Sequence, residues 1–320
     1  VTGTGFSQEK GKPMPVEAVP NTQTHPDLAP SVSMMKAVGL DWSVALEPVH
    51  DVRGRVIPGA RALVRTDRME ALSVVGTGYR PIQNAEAFRF AELLMGESQA
   101  AYEGAGALDG GRRIWLQAKL PGDVWVHGED SVQKYLLLTN PHFRGSSLWV
   151  ILTARRLACE NMLFAAMREA RPYAVRIRHT GDIASQVAEA QRVLGISLKY
   201  FDDFGHEARR FAGQQMTANA VRRYFEELVP DPMGADPGRA AATRETLLRL
   251  FESGRGSDLP GARGTLWGAL NAASEFVDHE RPTRGSSGTP EGMARWKSAV
   301  FGSGRALKER AWRWALALTA

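Results

Sequence analysis

Arg113-Ile114-Trp115-Leu116-Gln117-Ala118, Tyr135-Leu136-Leu137-Leu138 and Ser147-Leu148-Trp149-Val150-Ile151-Leu152 are three apolar runs of strand length. They carry β-branched and aromatic side chains and sit among polar turn residues, Asp109-Gly110-Gly111 and His127-Gly128-Glu129-Asp130. Connections this short predict antiparallel pairing, because a parallel pair needs a crossover of about a dozen residues. Upstream, Trp42-Ser43-Val44-Ala45-Leu46 alternates, and Ala60-Arg61-Ala62-Leu63-Val64-Arg65 follows a turn around Val52-Arg53-Gly54. Ala71-Leu72-Ser73-Val74-Val75 adds a third strand. Asn84 reads as the N-cap of a helix, since Ala87, Phe88, Ala91, Leu93 and Leu94 recur at helical spacing.

Beyond Glu160 the period turns helical. Ile183, Val187, Leu194, Leu198 and Phe201 share a face behind an Asp182 cap. Val221, Tyr224, Phe225 and Leu228 follow Thr217 and stop before Pro230-Asp231-Pro232. Leu247, Leu248, Leu250 and Phe251 mark a third helix, Leu266 to Phe276 a fourth, and Leu307 to Leu316 a Trp-rich last one. The fold class is therefore α+β: an N-terminal antiparallel sheet domain with a helix, then a mainly helical C-terminal region. Pro13, Pro15, Pro20, Pro26 and Pro30 in a polar stretch without periodicity predict a disordered tail over residues 1–32. The α+β domain is expected over 33–170 and the helical region over 171–320.

Composition narrows the class. Of 320 residues, 43% are hydrophobic and 23% charged, an ordinary globular balance. The single cysteine, Cys159, excludes an internal disulfide framework and a cysteine-cluster zinc site. No apolar run of about 18 residues and no secretory h-region occur, so neither a membrane span nor export is expected, and the location expected is cytoplasmic. The net charge of +5 falls wholly in residues 161–320, because residues 1–160 balance 17 basic against 17 acidic side chains. A basic half points to an acidic partner such as nucleic acid; a genome that favours arginine codons would produce the same excess.

Familiar catalytic signatures are missing. His206-Glu207-Ala208-Arg209-Arg210 lacks the second histidine of a zinc-protease helix. Gly256 and Gly261 have Walker spacing, but Ala262 and Arg263 replace the Lys and Ser/Thr that hold phosphate and magnesium. No nucleophile elbow or dinucleotide fingerprint is present, and no cofactor or metal is expected. Cys159, following an apolar strand, reads as a small hydrophobe rather than a nucleophile. Asp278-His279-Glu280-Arg281 reads as a helix C-terminus whose carboxylates pair with Arg281, with acid–base use of His279 as the alternative.

Two segments have the makings of a binding surface. Tyr79, Arg80, Gln83 and Asn84, beside Arg65, offer a ring, guanidinium groups and amides for phosphate and base contacts. A tight turn held by amide hydrogen bonds would use the same residues. The run Arg255 to Thr265 sets Arg255 and Arg263 around exposed glycine N–H groups at a helix start, a place that attracts anions. Arg305, Lys308 and Arg310 extend the basic character.

These segments also resemble the family known as domain of unknown function 932, the phage/plasmid-like proteins of mobile elements. The resemblance runs through Gly39-Leu40-Asp41-Trp42, Val64-Arg65-Thr66-Asp67, Tyr79-Arg80-Pro81 and Gln83-Asn84. It continues in Leu152-Thr153-Ala154-Arg155, Cys159-Glu160-Asn161, Arg178-His179-Thr180-Gly181, Trp267-Gly268-Ala269-Leu270-Asn271 and Asp278-His279-Glu280-Arg281. Where the family reads Thr-Asn-Ser-His-Asp-Gly, this chain has Thr139-Asn140-Pro141-His142-Phe143-Arg144-Gly145, without the aspartate. The resemblance implies a mobile-element setting and supplies no reaction. The function expected is DNA binding in recombination or replication, single strands among the forms bound. By analogy with single-strand annealing proteins, homo-oligomers come with that expectation. Arg65, Tyr79, Arg80, Arg155 and Arg156 would line the groove, Gln83 and Asn84 would add contacts, and Arg255 and Arg263 would hold outer phosphates. The alternatives are an enzyme on nucleotides or nucleic acid centred on Asn140, His142 and His179, and a protein-interaction factor.

Overall fold

Strand β6, Asp130–Pro141, is buried on nearly every residue, and this decides how the rest is arranged. A strand flanked on both sides and covered on both faces needs a continuous apolar run, which Tyr135 to Leu138 supplies. The computed structural model describes residues 30–95, 101–159, 161–163, 174–182, 184–186, 188–189, 192, 199–234, 236–283 and 291–319. Around β6 lie β4 (Ala101–Leu108), β5 (Arg113–His127), β7 (Ser147–Arg156) and β8 (Met162–Leu163), in the order β4-β5-β6-β7-β8. Strand β9, Ala174–Arg178, pairs with β7 as well. Every pairing is antiparallel. The β4–β5 and β5–β6 turns fall on the two polar stretches read from the sequence.

A second sheet, β1 (Val44–His50), β2 (Val56–Arg65) and β3 (Glu70–Gly76), is antiparallel in that order. Helix α1, Pro30–Ala37, begins inside the expected tail: Met34 and Met35 are buried, and Ser31 N–H donates to Glu92 Oε1 at 2.8 Å. Helix α2 spans Asn84–Met95. Asn84 does not cap it. Its Nδ2 donates to the carbonyls of Leu40 and Trp42, each at 3.1 Å, while Gln83 N–H is taken by Glu86 Oε2 at 2.7 Å.

The C-terminal region is helical: α3 (Lys199–Gly213), α4 (Ala218–Leu228), α5 (Gly238–Ser253), α6 (Leu266–Glu275), α7 (Glu291–Phe301) and α8 (Ser303–Leu318). Thr217 caps α4, as its position predicts, accepting from Ala220 N–H at 3.2 Å. Asp182 accepts from Ala184 N–H at 3.1 Å; Ile183, Val187, Leu194 and Leu198 lie outside the described residues.

One face of the six-stranded sheet, with Ile114, Leu116, Leu136, Leu138, Val150 and Leu152, joins a core that also takes in Phe204, Trp267 and Trp312 of the helices. The opposite face sets Trp115, Leu137 and Ile151 against Trp296 and Val300 of α7. Two buried ion pairs stitch these layers. Arg156 donates from Nε and Nη2 to Asp130, both at 2.7 Å, and Trp267 Nε1 reaches the same carboxylate at 2.9 Å. Lys308 of α8 pairs with Asp278 and donates to the Met162 carbonyl at 2.8 Å. Among the described residues no helix is long and apolar enough to cross a membrane.

Candidate functional site

The residues expected to line a strand groove have other occupations. Arg65 is 5% exposed, pairs with Asp67 at 2.6 Å and lies 4.2 Å over the Trp42 ring. Gly111 can approach both because it has no side chain: a Cβ there would stand 3.0 Å from Arg65 Nη1 and 3.1 Å from Trp42. Tyr79 is buried with its ring stacked on His179 at 4.9 Å, and burial pushes its phenol pKa well up. Gln83 exchanges hydrogen bonds with the Val44 backbone at 2.9 and 3.0 Å. Arg155 is half-buried against Glu103 at 3.2 Å and over Tyr135. Arg156 is wholly buried on Asp130, with Nη2 also donating to Gly256 O at 3.0 Å. Burial and existing partners thus withdraw Arg65, Tyr79, Asn84 and Arg156 from solvent. Arg80, Arg255 and Arg263 have exposed side chains.

Asn140, His142 and His179 do converge. They sit where the ends of β6 and β9 meet the Tyr79–Asn84 segment. His142 Nε2 lies 2.9 Å from Asn84 Oδ1, Asn140 Nδ2 donates to Ile82 O at 2.8 Å, and Arg80 N–H donates to His179 O at 2.7 Å. Burial lowers His142 to about 3, with His179 adding repulsion, and burial lowers His179 to about 4. Both imidazoles are neutral near pH 7. Asn140 Oδ1, His142 Nδ1 and both His179 ring nitrogens have no hydrogen-bond partner. With His142 0% and His179 2% exposed, this cluster is closed to a substrate and fastens the two sheets together. Cys159 is buried and its thiol is pushed up to about 11, which suits packing and not nucleophilic attack.

The 278–281 run departs from its sequence reading in a way that creates a site. Helix α6 ends in a π-helical turn, Phe276–Glu280, so Arg281 N–H bonds to Phe276 O at 2.6 Å, five residues back. The carboxylates do not pair with Arg281. Asp278 is held by Lys308, and Glu280 by Arg249 of α5. Arg281 is left facing an open cavity of about 610 Å³. Helix α5 presents Arg239, Ala242, Thr243 and Thr246 to it, residues spaced i, i+3, i+4, i+7. Helix α8 contributes Leu307 and Arg310. The close approach of α8 depends on Gly304, where a Cβ would lie 2.7 Å from Val277 Cγ1 and 2.9 Å from Ser298 O. Burial lowers the Arg281 pKa, and repulsion from Arg310 lowers it further. Arg281 Nη1 and Thr283 Oγ1 are buried without a hydrogen-bond partner. Three arginines therefore share a cavity whose one lining carboxylate, Glu280, is engaged by Arg249, so the charge left on its lining is positive. The sequence marked Arg310 as basic surface and gave Arg281 to the carboxylates; Arg239 was signalled only by the polar stripe on α5. Among the described residues no group of three or more His, Cys, Asp or Glu could hold a metal ion.

Fold and site together define an α+β protein with two antiparallel sheets, a helical half and an arginine-lined cavity in that half. The model of the family described as Domain of unknown function (DUF932) matches residues 71–300, and the chain belongs to that family. The match takes in the six-stranded sheet, Arg239 and Arg281; Arg310 lies beyond it. Neither the curated proteins nor the solved structures searched contain a match.

Proposed function

We propose that this chain binds nucleic acid, single-stranded DNA in particular, through its helical half. The observation that carries the reading is the cavity in which Arg239, Arg281 and Arg310 stand without an ion-pair partner among the described residues. Exposed Arg222 and Arg223 on α4, and Arg255 and Arg263 before α6, supply further phosphate contacts on the half that bears the whole net charge. A role in recombination or replication on a mobile element belongs to the same proposal and rests on the family's segments. The buried ring of Tyr79 shifts the expected balance from base stacking toward phosphate contact.

Fluorescence anisotropy with a labelled single strand at two salt concentrations, with duplex as control, tests it. Binding should weaken as salt rises, and the log–log slope should drop by about 0.7 for each phosphate-contacting arginine replaced. The charge reversals Arg239→Glu and Arg310→Glu should each weaken binding at low salt. Absence of binding to either form at low salt would overturn the reading.

A further inference from the structure

The cavity's charge and lining define a ligand more narrowly than a stretch of backbone. An internal phosphodiester brings one negative charge, whereas a phosphate monoester brings about −1.5 to −2 and three acceptor oxygens. The guanidinium groups of Arg281 and Arg310 repel each other, and Arg239 of α5 is a third cation lining the same cavity. A monoester answers that charge better than a diester. Arg281, which lines the cavity, carries a buried donor without a partner at Nη1. Phe276 and Leu307 form an apolar wall beside it. The volume, about 610 Å³, lies inside the range of small-ligand sites, roughly 300–1,000 Å³.

We propose that this cavity is a phosphate-monoester site that takes a nucleotide unit by its terminal phosphate, with Arg239, Arg281 and Arg310 on the phosphate and Phe276 and Leu307 against the sugar and base. A free mononucleotide and the phosphorylated end of a DNA strand share this chemistry. The strand end rests on the nucleic-acid reading above; the phosphate site does not.

Two measurements at fixed ionic strength decide it. Thermal unfolding is followed with deoxyadenosine monophosphate and with deoxyadenosine. Anisotropy is read with one labelled single strand carrying either a 5′-phosphate or a 5′-hydroxyl. The monophosphate should raise the melting temperature saturably and the nucleoside should not. The phosphorylated strand should bind about ten-fold more tightly than its hydroxyl twin. Both differences should vanish in Arg281→Gln and Arg310→Gln and survive in Arg53→Gln, an exposed charge on the β1–β2 turn. The Arg281 guanidinium lacks a partner for Nη1, so Arg281→Gln should fold with an unchanged or higher melting temperature. Equal affinity for the two strand ends, with no monophosphate effect, would overturn the site and leave DNA binding standing. A monophosphate effect without strand binding would keep the site and overturn the DNA reading. No response in either assay would overturn both.

Discussion

His142 and His179 show how far a residue's chemistry depends on what the chain folds over it. Each would titrate near 6.5 in the unfolded chain, and burial lowers them to about 3 and about 4. A depressed folded pKa means that the unfolded state binds more protons between the folded and unfolded values. Stability therefore holds above pH 6.5 and falls as pH drops toward 4, by up to about 1.4 kcal/mol per pH unit for each histidine. His279, lowered chiefly by burial, acts in the same direction. Urea unfolding at several pH values from 7.5 down to 4.5 should show this slope, and His179→Gln should make it shallower. A slope left unchanged by that substitution would mean His179 is solvated in the folded state. These histidines and Asn140 are the centre of the alternative enzyme reading of the sequence, and they do meet. Their closure from water was not legible, because it comes from Tyr79 stacked on His179 and Trp42 tilted against His142, which are far from them in the chain. Asn84 misled for the same reason: a local N-cap signal yielded to the Leu40 and Trp42 carbonyls more than 40 residues upstream.

At the scale of elements, local signals carried most of the reading. Polar turns gave the β5–β6 hairpin, and apolar stripes gave α4, α6 and α8. Strand β4 escaped because Ala101-Tyr102-Glu103-Gly104-Ala105-Gly106-Ala107-Leu108 is rich in small residues and has no alternation. Gly106 has a packing role: a Cβ there would stand 3.1 Å from the Trp115 indole. The joint between sheet and helices depends on Asp130, Arg156 and Trp267, which no local pattern marks as partners. Asp130 and Arg156 are both 0% exposed, so removing one leaves an uncompensated buried charge. Arg156→Met should cost about 3–5 kcal/mol in urea unfolding, and Asp130→Leu combined with Arg156→Met should recover much of it. Additive losses in the double variant would show that the two groups act independently.

For the whole molecule, the question is whether a helical half that reads as separate can stand without the sheet. Several contacts argue that it cannot. Strand β9 comes from beyond residue 170 and pairs with β7 of the sheet. Helix α3 lies close on β5, where a Cβ at Gly205 would stand 2.6 Å from Val124 Cγ1, and Arg209 donates to the Trp125 carbonyl at 2.9 Å. Trp267 and Lys308 both find their hydrogen-bond acceptors on the sheet side, at Asp130 and Met162. A fragment of residues 171–320 would leave Trp267 Nε1 without Asp130, take the Met162 carbonyl from Lys308 and expose the apolar faces of α3, α6 and α8 to water. The intact chain should therefore melt in one cooperative transition. The fragment should keep far-UV helical signal while losing near-UV signal from Trp267 and Trp312, with a broad, non-cooperative melt. A sharp melt of the fragment, with its tryptophan signal intact, would mean that the helices carry a core of their own. The arginine-lined cavity, built from Val229, α5, α8 and the segment Phe276 to Thr283, would then be separable from the sheet.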